Sequence, residues 1–254
     1  MGKRTRKSKG KNSRHSGAGR PGDPLKDRRI PGKAIEIPDP YIPAGYELVE
    51  AEASDAELFA PVLQLADPDN PDGTWSGIGA LIAQADQGIA AGTRLVFGAM
   101  HESGTLAAAL VAQPPMHWIG THHELQHEDA RVEFARCIAT IDSVAVVETH
   151  RGKGLAQALI TTAEQLLGDA EYPLVHIVHR PELTDFYVRL GYTHDPSGLR
   201  IGTPVGAVAQ PNPTGYTGSW KALRDQVRVE NLHYVNGTFD TLLGVIPGAD
   251  QLKD

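Results

Sequence analysis

The segment Ile138-Ala139-Thr140-Ile141-Asp142-Ser143-Val144-Ala145-Val146-Val147-Glu148-Thr149-His150-Arg151-Gly152-Lys153-Gly154-Leu155-Ala156 decides how this chain is read. Residues 138–147 form an apolar, β-branched run that predicts a strand. From Leu155, apolar residues recur at 155, 156, 159, 160, 163, 166 and 167, the spacing of an amphipathic helix. Between them, Arg151-Gly152-Lys153-Gly154-Leu155-Ala156 fits the pattern R/Q-x-x-G-x-G/A. Such a hexapeptide arises easily by chance, so its context has to carry it. Here it follows a strand, opens a helix, and has glycines where backbone can approach a ligand closely. Successive N–H groups and the positive helix end make an anion site suited to a pyrophosphate. The plainer reading is a strand-to-helix turn without a ligand.

A second motif lies downstream, Phe186-Tyr187-Val188-Arg189-Leu190-Gly191-Tyr192, after a short apolar strand over 173–178. Together the two resemble the GNAT superfamily of N-acetyltransferases, over about residues 45–200. Val144-Ala145-Val146 and residues 151–156 are similar to its acetyl-CoA strand and loop, and Phe186-Tyr187 with Leu190-Gly191-Tyr192 to its later helix and turn. The resemblance implies acetyl-CoA as co-substrate. Backbone groups of Val144, Ala145 and Val146 would meet the pantetheine, and Arg151, Gly152, Lys153, Gly154, Leu155 and Ala156 the pyrophosphate. Tyr187 would protonate the departing thiolate, a task a phenol near the sulfur can perform. A core tyrosine is the plainer role.

Two positions depart from the family. Thr140 stands where many relatives place a glutamate base, and Arg180 where many have asparagine. Asp142 is the first substitute base, because two residues from Thr140 puts it on the same strand face. Glu124, His123 and His127 are second choices, since a loop beside the site could supply a base.

Working outward, the pattern predicts a strand at 46–53, a helix at 55–65 capped by Ser54, and a helix at 75–89. Strands at 93–100 and 106–112 meet in a hairpin at Glu102-Ser103-Gly104. Residues 114–135 read as a polar, histidine-rich insertion. A helix over 182–190 ends at Gly191. The fold class is therefore α/β, its last βαβ unit parallel, and the resemblance implies the GNAT acyltransferase fold, a mixed central sheet flanked by helices. Residues 201–254 read as a C-terminal extension with a hairpin about Asn236-Gly237.

Net charge is −7, but residues 1–33 hold twelve Lys or Arg against Asp23 and Asp27, leaving −17 for the other 221 residues. Residues 1–44 read as a disordered basic tail, almost free of large apolar groups. Such an arm suits nucleic-acid phosphates, and equally a solubilising role or contact with its own acidic body. No apolar run is long enough to span a membrane. One cysteine, Cys137, fits a small buried residue in a reducing cytoplasm, the expected location. His123-Glu124-Leu125-Gln126-His127 is a literal H-E-x-x-H. Its flanks, Gly120-Thr121-His122 and Glu128-Asp129, are polar, and no third ligand stands out, so the expectation is no metal.

The function expected is acetyl transfer from acetyl-CoA to an amine, protein or small molecule, with cationic acceptors favoured by the acidic body. The alternative is a non-catalytic acyl-CoA-binding module tethered by its tail to nucleic acid; a zinc hydrolase is a third reading. A homo-oligomer is compatible with the sequence.

Overall fold

The computed structural model describes residues 42–70, 73–85, 92–125 and 127–249. The basic segment 1–33 and the end of the helix expected over 75–89 lie outside the described residues.

β1 (Tyr46–Glu50) leads through a short turn into α1 (Ala56–Gln64), which buries Phe59, Val62 and Leu63 at helical spacing. In place of a Ser54 cap, the carboxylate of Asp55 accepts the Glu52 backbone N–H at 2.9 Å, one half of a capping box. α2 (Ile78–Ala85) follows, then β2 (Leu95–His101) and β3 (Leu106–Gln113), joined by the predicted tight turn, where the Gly104 N–H donates to His101 O. Gly98 in β2 is a close-approach glycine. A Cβ there would lie 2.4 Å from Ala108 O and 3.3 Å from the Phe59 ring.

The stretch read as a polar insertion folds instead into α3 (Met116–Thr121) and α4 (Glu128–Cys137), burying Trp118, Ile119, Leu125 and Phe134. These four apolar groups are too sparse and irregular to show a helical period, yet each is large. β4 (Ile138–Val146), α5 (Leu155–Asp169), β5 (Leu174–His179) and α6 (Thr184–Arg189) match the predicted βαβα order. Seven-residue or shorter strands complete the chain: β6 (Thr193–Asp195), β7 (Leu199–Thr203), β8 (Gly206–Gln210), β9 (Thr217–Ala222), β10 (Arg228–Tyr234) and β11 (Gly237–Leu243).

The principal sheet has seven strands in the order β1-β2-β3-β4-β5-β9-β6. Its first four strands are antiparallel; β4 and β5 are parallel across α5; β9 then lies antiparallel between β5 and β6. The mixed sheet flanked by helices is the fold class the sequence predicts, although one of its strands comes from beyond residue 200. A second sheet, β10-β11-β7-β8, holds the C-terminal hairpin. Tyr234 pairs with Gly237, so the turn residues are Val235 and Asn236, one position earlier than expected.

One face of the principal sheet packs on α5 and α6, burying Ile141, Leu159, Ile177 and Tyr187 together. Its other face packs on α1 and α2 through Phe59, Leu63, Ile82 and Ala145. Beside that second core, Trp118, Phe134, Ile138 and Leu174 join the inner residues of the second sheet, Ile201, Val208 and Leu242. Lys221 on β9 ties the first layer down. Its ammonium donates to the largely buried Glu164 of α5 at 2.6 Å and to Leu190 O at 2.8 Å.

Phe134 is 1% exposed and stands where α4 meets both sheets. Phe134→Ala should cost about 3–5 kcal/mol in a urea titration, the range for emptying a large aromatic site. A loss under about 1 kcal/mol would mean that α4 is not an integral part of this core.

Candidate active site

The site follows from how β4 is shared. Along β3 it pairs as far as Val146, but along β5 only from Ile138↔Leu174 to Ile141↔Ile177. Beyond Ile141 the edge of β4 that faced β5 has no strand partner, while β5 turns to β9 through His179↔Thr217. The two strands therefore part and leave a cleft with unpaired backbone along 142–146, beside Val144, Ala145 and Val146. Val144 and Val146 are half-buried toward the α5 side, and Ala145 faces α1.

At the end of β4 the chain reaches the loop before α5. Gly152 and Gly154 have φ of +75° and +83°, conformations that favour glycine, and Gly154 is the N-cap of α5. A Cβ on either would meet nothing within 4 Å, so the loop presents an open surface. The first N–H groups of α5 have no intrahelical partner and point out of this end. Arg151 turns back, its Nε donating to Val146 O at 3.2 Å, which braces the loop and occupies one carbonyl of the β4 edge. Lys153 is turned away as well. Its ammonium donates to the Tyr46 hydroxyl at 3.0 Å, which bonds Nδ1 of His150 at 2.8 Å.

Tyr187 lies on α6, its ring 3% exposed among residues of the α5-side core. Burial pushes its phenol above the ordinary tyrosine range, so it stays protonated at neutral pH. The hydroxyl has no protein partner among the described residues, nor is it one of the enclosed unpartnered atoms. Its ring stacks on His179 at the end of β5, with centroids 4.5 Å apart and planes 30° apart. His179 is fixed at both nitrogens: Nδ1 donates to Arg180 O, and Nε2 accepts from the Ser219 hydroxyl, each at 2.8 Å. Burial lowers its pKa, against the Arg180 hydrogen bond, so the ring is a neutral platform for Tyr187.

Asp142 is the extra residue of a β-bulge, since Val111 pairs with Ser143 and Ala112 with Ile141. The bulge puts Asp142 and Ser143 on one face, where the Ser143 hydroxyl reaches Leu63 O of α1 at 3.4 Å. Gln113, the cross-strand partner of Thr140, donates its amide to the Asp142 carboxylate at 2.5 Å. That bond places Asp142 on the face of Thr140, as the spacing predicts. The residue as a whole is exposed, yet its carboxyl is surrounded by enough protein to lose hydration. Desolvation raises its pKa to about 7, against the Gln113 hydrogen bond.

The other candidates separate. Glu124 lies 3.2 Å from His123 and 3.7 Å from His122, in a short helical turn that ends at Leu125. His127 caps α4, so H-E-x-x-H does not form one helix, and the described residues hold no group of three metal-binding side chains. Burial raises the Cys137 thiol to about 11, the behaviour of a structural cysteine. Arg180, at the family's asparagine position, reaches Asp67 in the segment between α1 and α2 at 3.8 Å. His179 and Gln113 were invisible in the sequence, because each acts through a cross-strand or stacking neighbour far away in the chain.

Residues 82–194 match the family model of the acetyltransferase (GNAT) domain. Among solved structures it is similar to a GNAT-family acetyltransferase from Streptococcus pneumoniae, at 11% identity and TM-score 0.47, covering 70% of this chain and 99% of that one. It is also similar to a phosphinothricin acetyltransferase from Sinorhizobium meliloti solved with AcCoA, at 13% identity and TM-score 0.48, over 70% and 88% of the two chains. A third is a putative acetyltransferase from Salmonella typhimurium with its cofactor acetyl-CoA, at 14% identity and TM-score 0.48, over 71% and 95%. No curated protein matches the sequence. No helix among the described residues is long and apolar enough to cross a membrane.

Two measurements test the site. Gly154→Trp should weaken acetyl-CoA binding at least about tenfold by calorimetry while the fold survives, since a side chain there meets no protein atom. Undiminished affinity would remove the loop from the binding site. Only the carboxylate of Asp142 can accept a proton, so kcat/KM for an amine should fall about tenfold per pH unit below about 7. Asp142→Asn should abolish that limb; a wild-type profile in the variant would exclude Asp142 as base.

Proposed function

We propose that this domain transfers the acetyl group of acetyl-CoA to the nitrogen of an amine by direct attack. The loop 151–156 holds the pyrophosphate on the N–H groups at the start of α5, and the unpaired edge of β4 lies along the pantetheine. Asp142 takes a proton from the incoming ammonium; the free amine attacks the thioester carbonyl; the carbon–sulfur bond breaks as Tyr187 protonates the thiolate, and the second proton lost from the nitrogen restores the Tyr187 hydroxyl. The observation that carries this reading is the placement of Asp142, held by Gln113 at the β4 bulge just past the last residue that pairs with β5. A base near neutral pKa is the group an amine acetyltransferase needs, since its substrate arrives charged.

Acceptors of positive charge suit the protein best, because residues 34–254 carry the whole of its acidic excess. The basic segment 1–33 is assigned, in the same proposal, to phosphate-rich partners such as nucleic acid. It is separate from the chemistry and is not required by it.

Tyr187→Phe decides the acid. The substitution keeps the ring on His179 and removes only the hydroxyl. Acetyl-CoA affinity should hold while kcat falls by roughly 10²–10⁴ with every amine tried, because thiolate protonation does not depend on the acceptor. Unchanged turnover in the folded variant would reduce Tyr187 to a core residue.

A further inference from the structure

A row of cross-strand partners crosses the principal sheet just below the point where β4 and β5 part: Gln113, Thr140, His176 and Trp220. Cross-strand partners share a face, and this is the face of Asp142, whose carboxylate Gln113 holds. His176 is 2% exposed, and neither of its ring nitrogens has a hydrogen-bond partner among the described residues. The same is true of the enclosed hydroxyl of Thr140, its neighbour on β4. Thr140 Oγ1 and the His176 ring nitrogens are thus buried on adjacent strands with no protein group to satisfy them. Trp118 covers this side of His176, ring centroids 5.1 Å apart. On β9 the neighbouring residue is Gly218, where a Cβ would stand 3.3 Å from His176 Nε2 and 2.7 Å from Asn212 Oδ1.

Buried polar atoms in native proteins are satisfied by protein or by ordered water, and a buried water needs two to four polar partners. The Thr140 hydroxyl and one His176 ring nitrogen supply two, the minimum; the other nitrogen faces a different direction. The reaction also has a use for water here. An ammonium acceptor and acetyl-CoA yield the amide, the CoA thiol and one proton. The ammonium gives up two protons in all, one of which ends on sulfur. The other, first taken up by Asp142, has to leave the cleft at each turnover.

We propose that Thr140 and His176 seat a buried water beside Asp142, and that this water receives the proton from the Asp142 carboxyl and resets the base. The inference rests on Asp142 being the base. The Asp142 O–H bond breaks as the water takes the proton, and the water then releases a proton to solvent, so nothing is oxidised or reduced. Burial keeps His176 neutral, with its pKa lowered to about 3. A neutral imidazole has one donor and one acceptor, which lets it hold a water in either orientation. The threonine at the usual base position is then a positioning residue: it holds the water that serves the carboxylate two residues away.

Two experiments test it together. A crystal structure at about 1.5 Å resolution should show an ordered water within hydrogen-bond distance of Thr140 Oγ1 and of a His176 ring nitrogen. Thr140→Val, equal in shape but without the hydroxyl, should lower kcat about tenfold or more, a fraction of the value of a positioned base. Its KM for acetyl-CoA and its melting temperature should stay near wild type, and Thr140→Ser should keep most of the rate. A dry site, or protein groups bonded to these atoms in the crystal, overturns the proposal, as does wild-type kcat in folded Thr140→Val. If the wild-type protein acetylates no amine at all, the proposed function fails and the relay fails with it. The density still decides separately whether the water site exists.

Discussion

Everything functional in this molecule depends on one constraint: β4 cannot satisfy both of its neighbours along its full length. β3 holds it through Val146, whereas β5, paired with β9 all along its other edge, holds it for only four residue pairs. A sheet that stays closed has no room for a ligand between strands. Here the parting leaves backbone N–H and C=O groups at the edge of a cleft, and such groups demand partners. The bulge at Asp142 lies at the first residue past the last β4–β5 pair, so the break in pairing and the exposure of the carboxylate are one local event.

The parted strands are held open by interactions on both sides. On the β5 side, Ser219 and the Arg180 carbonyl fix the His179 ring, and that ring fixes Tyr187. Lys221 joins β9, α5 and the turn after α6 through Glu164 and Leu190 O. Breaking such a mostly buried pair on one side leaves an uncompensated charge, so it resists change more than a surface bridge would. On the β4 side, Arg151 ties the loop to the strand that precedes it. The loop is thereby braced by its own arginine, which leaves its backbone N–H groups, more than its side chains, to face an anion.

Much of this could be read before any coordinates. Strand 138–146 and helix 155–169 announce themselves by β-branched composition and by helical spacing, and both lie where those signals put them. The loop between them needed its two glycines and both have positive φ. What stayed hidden has a common physical character. Trp118, Ile119, Leu125 and Phe134 build a core from a sequence that looks polar on average, because burial depends on a few large groups and not on mean hydropathy. β7, β8 and β9 come from a Gly- and Pro-rich stretch; β7 and β8 pair as a hairpin, and β9 exists only through β5 and β6, farther back in the chain. His176, His179 and Gln113 take their roles from Thr140, Ser219 and Asp142, distant in the chain and on other strands, a relation no local pattern encodes.

The position of β9 has a consequence for how the protein is made. The chain lays down β6, leaves the sheet for the β7–β8 hairpin, and only then returns with the strand that separates β6 from β5. Until residue 222 has left the ribosome, β5 is an edge and β6 has no strand to pair with in this sheet. An unpaired apolar edge is open to wrong partners. Non-local strand insertion of this kind also slows folding, because a long loop has to close before its pairing is rewarded. A nascent chain of this sequence therefore passes through a stage in which the cleft has one finished wall, β4 on its hairpin neighbours, and waits for the other.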